Sequence, residues 1–100
     1  MARIIQTENG KLKRQFVIQS ELVSIGRSET NLIQLDELIV SSQHAKILTK
    51  RDKQGHEFYF LMDLDSTNGS FVNQDKVSCM QLRHRDSLRF GHESFTFLDD

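Results

Sequence analysis

The stretch DLDSTNGSFVN, residues 63–73, places Ser66, Thr67, Asn68 and Gly69 between two apolar segments. FYFLMDL (58–64) enters it and SFVN (70–73) leaves it. Both read as short strands, being rich in the aromatic and aliphatic residues that suit a pleated, half-buried surface. A hairpin turn of Asn-Gly type needs only about two residues. The hydroxyls of Ser66 and Thr67 are therefore surplus to the turn and mark this loop as a candidate site.

Working outward, similar runs recur along the chain. ARIIQ (2–6) and QFVIQ (15–19) flank ENGK, whose Asn9-Gly10 is a strong hairpin signal. ELVSIG (21–26), LIQL (32–35) and AKILT (45–49) follow, then the polar tip KRDKQGHE (50–57). SLRF (87–90) and SFTFL (94–98) close the chain. Strands this short, with turn signals about every 8–12 residues, describe an all-β sandwich or barrel. The chain has no proline, so its turns rest on Gly, Asn, Asp and Ser. One stretch is ambiguous. In TNLIQLDELIVSSQHAKIL (30–48), Leu35, Leu38 and Ile39 would share a helix face. The β-branched Ile39-Val40 pair and the two serines after it favour strand and loop over helix.

One hundred residues make a single domain, 1–100, which could be a module of a longer protein. Thirteen basic against fourteen acidic residues give a net charge of −1. That balance exerts no general pull on nucleic acid or an anionic membrane, so any anion site must be local. The single cysteine, Cys79, excludes an internal disulfide, and no Cys/His spacing suits a metal. A free cysteine on a chain without a signal-like start points to the cytoplasm. No apolar run approaches the roughly 20 residues that span a bilayer. Neither cofactor nor metal is expected, and the oligomeric state stays open.

Three polar clusters sit at strand ends: IGRSETN (25–31), VSSQHA (40–45) and DSTNGS (65–70). Arg27 offers a permanently charged planar fork suited to phosphate. Ser41, Ser42 and Thr67 offer hydroxyls, and Asn68 an amide that can pair with a peptide backbone. Gly26 and Gly69 permit tight turns that expose backbone N–H groups. Each cluster alone is ordinary loop chemistry. Brought together at one end of a sandwich, they would form a small cationic, donor-rich patch on a neutral protein. Ser41, His44 and Asp63 or Asp65 also invite a catalytic reading, but no G-x-S-x-G elbow accompanies them. IGRSETN lacks the spaced glycine and Lys-Ser/Thr of a P-loop.

Taken in order, Gly26-Arg27, then Ser41-x-x-His44 fourteen residues after the arginine, then Ser66-Thr67-Asn68-Gly69-Ser70-Phe71-Val72-Asn73 resemble the forkhead-associated (FHA) domain. Leu82, Asp86, Leu88, Phe90, Gly91 and Phe95 follow that family's closing pattern. The resemblance implies a sandwich of two antiparallel or mixed sheets, about eleven strands, with binding loops at one end. It implies a non-catalytic module that binds phosphothreonine-containing protein segments in Ser/Thr kinase signalling, without nucleic acid or membrane. An alternative within the same fold is a phosphorylation-independent assembly module. By matched position, Arg27 and Ser41 hold the phosphate, with Ser42 and Thr67 beside them. Asn68 takes the peptide backbone, and Gly26, His44 and Gly69 set loop geometry. Three departures stand out: a small Ser42 where the family often has Arg, Lys or Asn, Gln74 where Gly is common after Asn73, and Arg85-Asp86 for a frequent Gly-Asp. The apolar Ile39, two residues before Ser41, argues against an Arg-to-acid contact there.

Overall fold

The computed structural model describes every residue from Met1 to Asp100. Its first hairpin forms where Asn9 (φ 55°) and Gly10 (φ 77°) supply the left-handed backbone of a two-residue turn. That turn joins β1 (Ala2–Glu8) to β2 (Lys11–Val17), with Glu8 opposite Lys11. Strands β3 (Leu22–Gly26), β4 (Ile33–Gln34), β5 (Ala45–Arg51) and β6 (Glu57–Asp63) follow. The chain ends with β7 (Ser70–Val72), β8 (Asp75–Val77), β9 (Cys79–Gln81), β10 (Ser87–Phe90) and β11 (Glu93–Asp99). Eleven strands and no helix form two sheets, ordered β2-β1-β11-β10-β7-β8 and β4-β3-β5-β6-β9. Every pairing is antiparallel except β3 with β4, where Ile25 lies opposite Ile33. The architecture is the sandwich that the sequence implied.

Strand periodicity places the core. Ile4, Ile47, Leu61, Leu88, Phe90 and Phe97 are fully buried between the sheets, while their strand neighbours face outward. Phe90 meets Phe95 on one side and the edge of the His44 ring on the other, at centroid distances of 6.3 and 5.8 Å. Aromatic packing of this tilted and edge-on kind orders the core directly beneath the loops that carry the polar clusters.

Several boundaries differ from the sequence reading. β2 starts at Lys11 instead of Gln15, because the Asn9-Gly10 turn sets Lys11 opposite Glu8 and Leu12 opposite Thr7 before a register shift passes over Lys13. As an edge strand it buries little there, so no alternation announced it. β8 and β9 are three residues each and largely exposed, and no apolar run marked them. LIQL contributes only Ile33–Gln34 to a ladder. Residues 35–44 are neither helix nor strand: Glu37 N–H bonds Leu35 O at 2.9 Å and Val40 N–H bonds Glu37 O at 3.0 Å, local turns that leave Val40 buried.

Two of the family departures fall where the backbone is left-handed. Gln74 has φ 75° in the β7–β8 turn, and Arg85 has φ 77° in the loop before β10. Side chains pay a steric penalty there that glycine avoids. Glycine also loses more entropy on folding, which offsets part of the gain. Gln74→Gly and Arg85→Gly should each stabilise the domain by about 0.5–1 kcal/mol. Urea unfolding at a common pH checks this, and a loss of stability in both variants contradicts it.

Candidate functional site

Three loops meet at one end of the sandwich: 27–32 between β3 and β4, 35–44 between β4 and β5, and 64–69 between β6 and β7. Arg27 N–H bonds Ser41 O at 3.0 Å and Ser28 N–H bonds Ser42 O at 3.3 Å, which ties the first loop to the second. That approach depends on Gly26. A Cβ at this position would collide with the Ser42 carbonyl oxygen and lie 2.7 Å from Asn31 Nδ2. Asn31 is buried and its Nδ2 donates to both Ser28 O (2.9 Å) and Ser42 O (2.7 Å), clamping the same two loops.

His44 joins the second loop to the third. It is fully buried, and its two ring nitrogens face backbone groups of opposite character. Ser41 N–H donates to Nδ1 at 3.0 Å, while Nε2 lies 2.8 Å from Gly69 O. A backbone N–H can only donate and a carbonyl can only accept. The ring is therefore the neutral Nε2–H tautomer, donating to Gly69 O. The imidazole bonds the Ser41 backbone and not its hydroxyl, so Ser41 and His44 do not form a nucleophile–base pair.

The third loop closes on Asp63. Its carboxylate accepts Ser66 Oγ–H at 2.6 Å, Ser70 Oγ–H at 2.7 Å and Ser66 N–H at 3.0 Å. Ser66 Oγ then accepts Gly69 N–H at 2.9 Å, and Gly69 turns the chain at φ 88°. Ser66 and Ser70 thus serve the loop itself. The surplus hydroxyl left over from the turn is that of Thr67.

Between the loops lies a cleft of about 320 Å³, lined by Arg27, Leu38, Ile39, Val40, Ser41, Ser42, Thr67 and Asn68. The structure brings all five residues expected to touch a ligand into it, and places Gly26, His44 and Gly69 in the frame behind. Arg27 Nε donates to Val40 O at 3.0 Å, and Nη2 lies 3.5 Å from Ser42 Oγ. No carboxylate pairs with this guanidinium. Ser41 Oγ accepts Thr67 N–H at 3.1 Å, which leaves its own O–H free to donate. Asn68 Nδ2 donates to Ile39 O at 2.9 Å, leaving its Oδ1 and second N–H open. A fixed cation, a hydroxyl donor and an amide with both polarities in one cleft suit an oxyanion carried on a peptide.

Sequence reasoning did not single out Asn31, Asp63 as loop anchor, or the carbonyls of Ile39 and Val40. The Asp63, Ser66, Ser70 spacing was a readable signal, since a carboxylate so placed closes its own loop. The carbonyls carried none, because every residue has one. No group of three or more His, Cys, Asp or Glu side chains gathers to hold a metal ion.

The FHA domain family matches this chain over residues 23–91. The glycogen accumulation regulator GarA of Mycolicibacterium smegmatis is 31% identical over 84 residues, covering 84% of this chain and 50% of that protein. The chain spans about half the length of the curated relatives it matches. Among solved structures, Mycobacterium tuberculosis EmbR in complex with a low-affinity phosphopeptide aligns with a TM-score of 0.81 and 30% identity, covering 97% of this chain and 24% of that one. An FHA domain studied for phosphothreonine-dependent interactions aligns with a TM-score of 0.81 and 28% identity, over 100% of this chain and 98% of that one.

The Asp63 anchor has a pH signature. Burial pushes its carboxyl up, but the Ser66 and Ser70 hydroxyls and the Ser66 N–H outweigh burial and hold it below the usual carboxylate range. A lowered folded pKa stabilises the protein fully above the unfolded value of about 3.9, and the gain is lost as pH falls through the folded pKa. Wild type should therefore be more stable than Asp63→Asn at about pH 6, and the gap should shrink steadily below about pH 4. Urea midpoints of the two proteins across this range test it. A gap independent of pH rules the anchor out as a charged acceptor.

Proposed function

The chain belongs to the FHA domain family, and we propose that it is a non-catalytic reader of phosphothreonine-containing protein segments in Ser/Thr kinase signalling. The observation that carries this reading is Arg27, a guanidinium with no carboxylate partner, held by Val40 O beside the free Ser41 O–H in one cleft. Phosphothreonine brings a charge of about −1.5 to −2 and three acceptor oxygens. Arg27 and Ser41 take those oxygens, with the Ser42 hydroxyl 3.5 Å from the guanidinium and Thr67 helping to shape the cleft. Asn68 pairs with the peptide backbone through its open amide atoms. Specificity for a phosphate on a neutral domain then comes from placement, since the net charge of −1 attracts no anion in general.

The γ-methyl of threonine meets the apolar side of the cleft at the partly exposed Ile39, which favours phosphothreonine over phosphoserine by about 0.8 kcal/mol for one buried methyl group. EmbR with its bound phosphopeptide supports a ligand of this class. The engagement of both His44 nitrogens with backbone supports recognition without catalysis. No helix of the chain is long and apolar enough to cross a membrane. An exposed, unpaired Cys79 suits the cytoplasm, where such kinases act.

Titration of an oriented phosphothreonine peptide library should give binding to wild type, and Arg27→Ala should weaken it by about 2–5 kcal/mol. Equal binding by both proteins, or none by wild type, removes the proposal. A partner whose capture survives both phosphatase treatment and Arg27→Ala would instead establish the phosphorylation-independent assembly module. The second phosphate pKa lies near 6, so affinity should also fall as pH drops from about 7 to about 5. Constant affinity across that window would exclude recognition of the dianion.

A further inference from the structure

The cleft wall at residues 37–40 belongs to no β-ladder, yet two of its carbonyls orient the cleft's most polar side chains. Val40 O accepts Arg27 Nε, and Ile39 O accepts Asn68 Nδ2. What holds this wall from behind comes from the opposite sheet. The β10–β11 turn, Gly91–His92, packs flush against it. A Cβ on Gly91 would lie 2.9 Å from Val40 Cγ2, 2.9 Å from Glu37 Oε1 and 3.1 Å from Ile39 Cγ1, and the residue sits at φ 61°. Glu37 Oε1 accepts His92 N–H at 2.9 Å and lies 2.7 Å from His92 Nδ1. Arg89 Nη1 donates to Gly91 O at 3.0 Å and steadies the same turn.

We propose that Glu37 is a positioning residue for phosphopeptide recognition. Stapled to the His92 backbone, it fixes the Ile39 and Val40 carbonyls and through them the aim of Arg27 and Asn68. The inference rests on the phosphopeptide reading for its consequence, but not for its geometry. Glu37 does not line the cleft. Of its two contacts to His92, the backbone one sets position. The His92 imidazole is 83% exposed, and an ion pair so open to water contributes little. The Glu37 side chain is only 22% exposed, and its N–H acceptor joins one sheet's turn to the other sheet's binding loop. The Arg27, Asn31 and His44 bonds hold the loop at Ser41 and Ser42, whereas Glu37 ties its earlier part to the opposite sheet, and a shift of about 0.5 Å is enough to spoil a recognition geometry.

The test needs no ligand at its first step. The Arg27 Nε–H resonance of the free protein reports the Val40 O bond directly, by its shift and its exchange with solvent. Glu37→Ala should move this resonance and speed its exchange. Glu37→Gln, whose amide oxygen still accepts His92 N–H, should leave it near the wild-type position. Phosphothreonine peptide affinity should follow, falling about five- to tenfold in Glu37→Ala, the worth of about one hydrogen bond, and about twofold or less in Glu37→Gln. If Glu37→Ala does not fold, Gly91→Ala crowds Val40 from the same side and should move the same resonance. An unmoved resonance in the folded variant overturns the proposal. So does a moved resonance with unchanged affinity, or equal damage in Glu37→Gln. If wild type binds no phosphopeptide, the functional reading and the proposed role in recognition both fall, while the resonance still decides whether Glu37 places Arg27.

Discussion

A single buried imidazole holds the binding end of this sandwich together. His44 accepts the Ser41 N–H and donates to Gly69 O, so the loop after β4 and the loop after β6 share one rigid pillar. Its ring edge rests on Phe90, which is itself fully buried. Loss of the ring would strand a backbone donor and a backbone acceptor in the interior, at about 1–3 kcal/mol for each unsatisfied group. The pillar also decides chemistry. With both nitrogens committed to backbone, the ring does not pair with the Ser41 hydroxyl, whose O–H stays free to donate.

The arginine beside that pillar shows how a neutral domain can present one usable positive charge. A guanidinium paired with a carboxylate offers a ligand little, because the partner must first be displaced. Arg27 is instead held by a carbonyl, a neutral acceptor that fixes direction without cancelling charge. Carbonyl placement therefore sets the aim of that charge, and carbonyl placement belongs to irregular backbone. Gly26, Asn31, the Asp63 cluster and the Glu37–His92 contact each hold a part of that backbone. Every one of them lies outside the cleft.

Legibility in the sequence followed the strength of local signals. The β1–β2 hairpin was readable because Asn9-Gly10 suits a two-residue turn with positive φ at both positions. β6 was readable because Phe58 to Met62 form an unbroken apolar run. β8 and β9 were not, since three exposed residues paired at a sheet's margin need no apolar pattern. Residues 32–40 admitted both periods; Ile33–Gln34 pair with β3, and the local turns at Glu37 and Val40 settle residues 35–40 as loop. The unusual backbone at Gln74 and Arg85 was equally invisible, since neither residue type advertises positive φ.

The sequence by itself determined the strand pattern, the neutral charge that confines any anion site to one place, and the residues that could serve it: Arg27, Ser41, Ser42, Thr67 and Asn68. Those follow from side-chain chemistry and short-range order, which each residue carries with it. Only the tertiary structure decided the His44 tautomer and the aim of Arg27 from Val40 O. Each depends on a partner brought near where separate loops meet at one end of the sandwich. The last and longest of these links runs from His92 through Glu37 to the cleft wall, across 55 residues of chain. Backbone carbonyls and N–H groups are the same at every position, so which of them becomes a partner is written in no residue's identity.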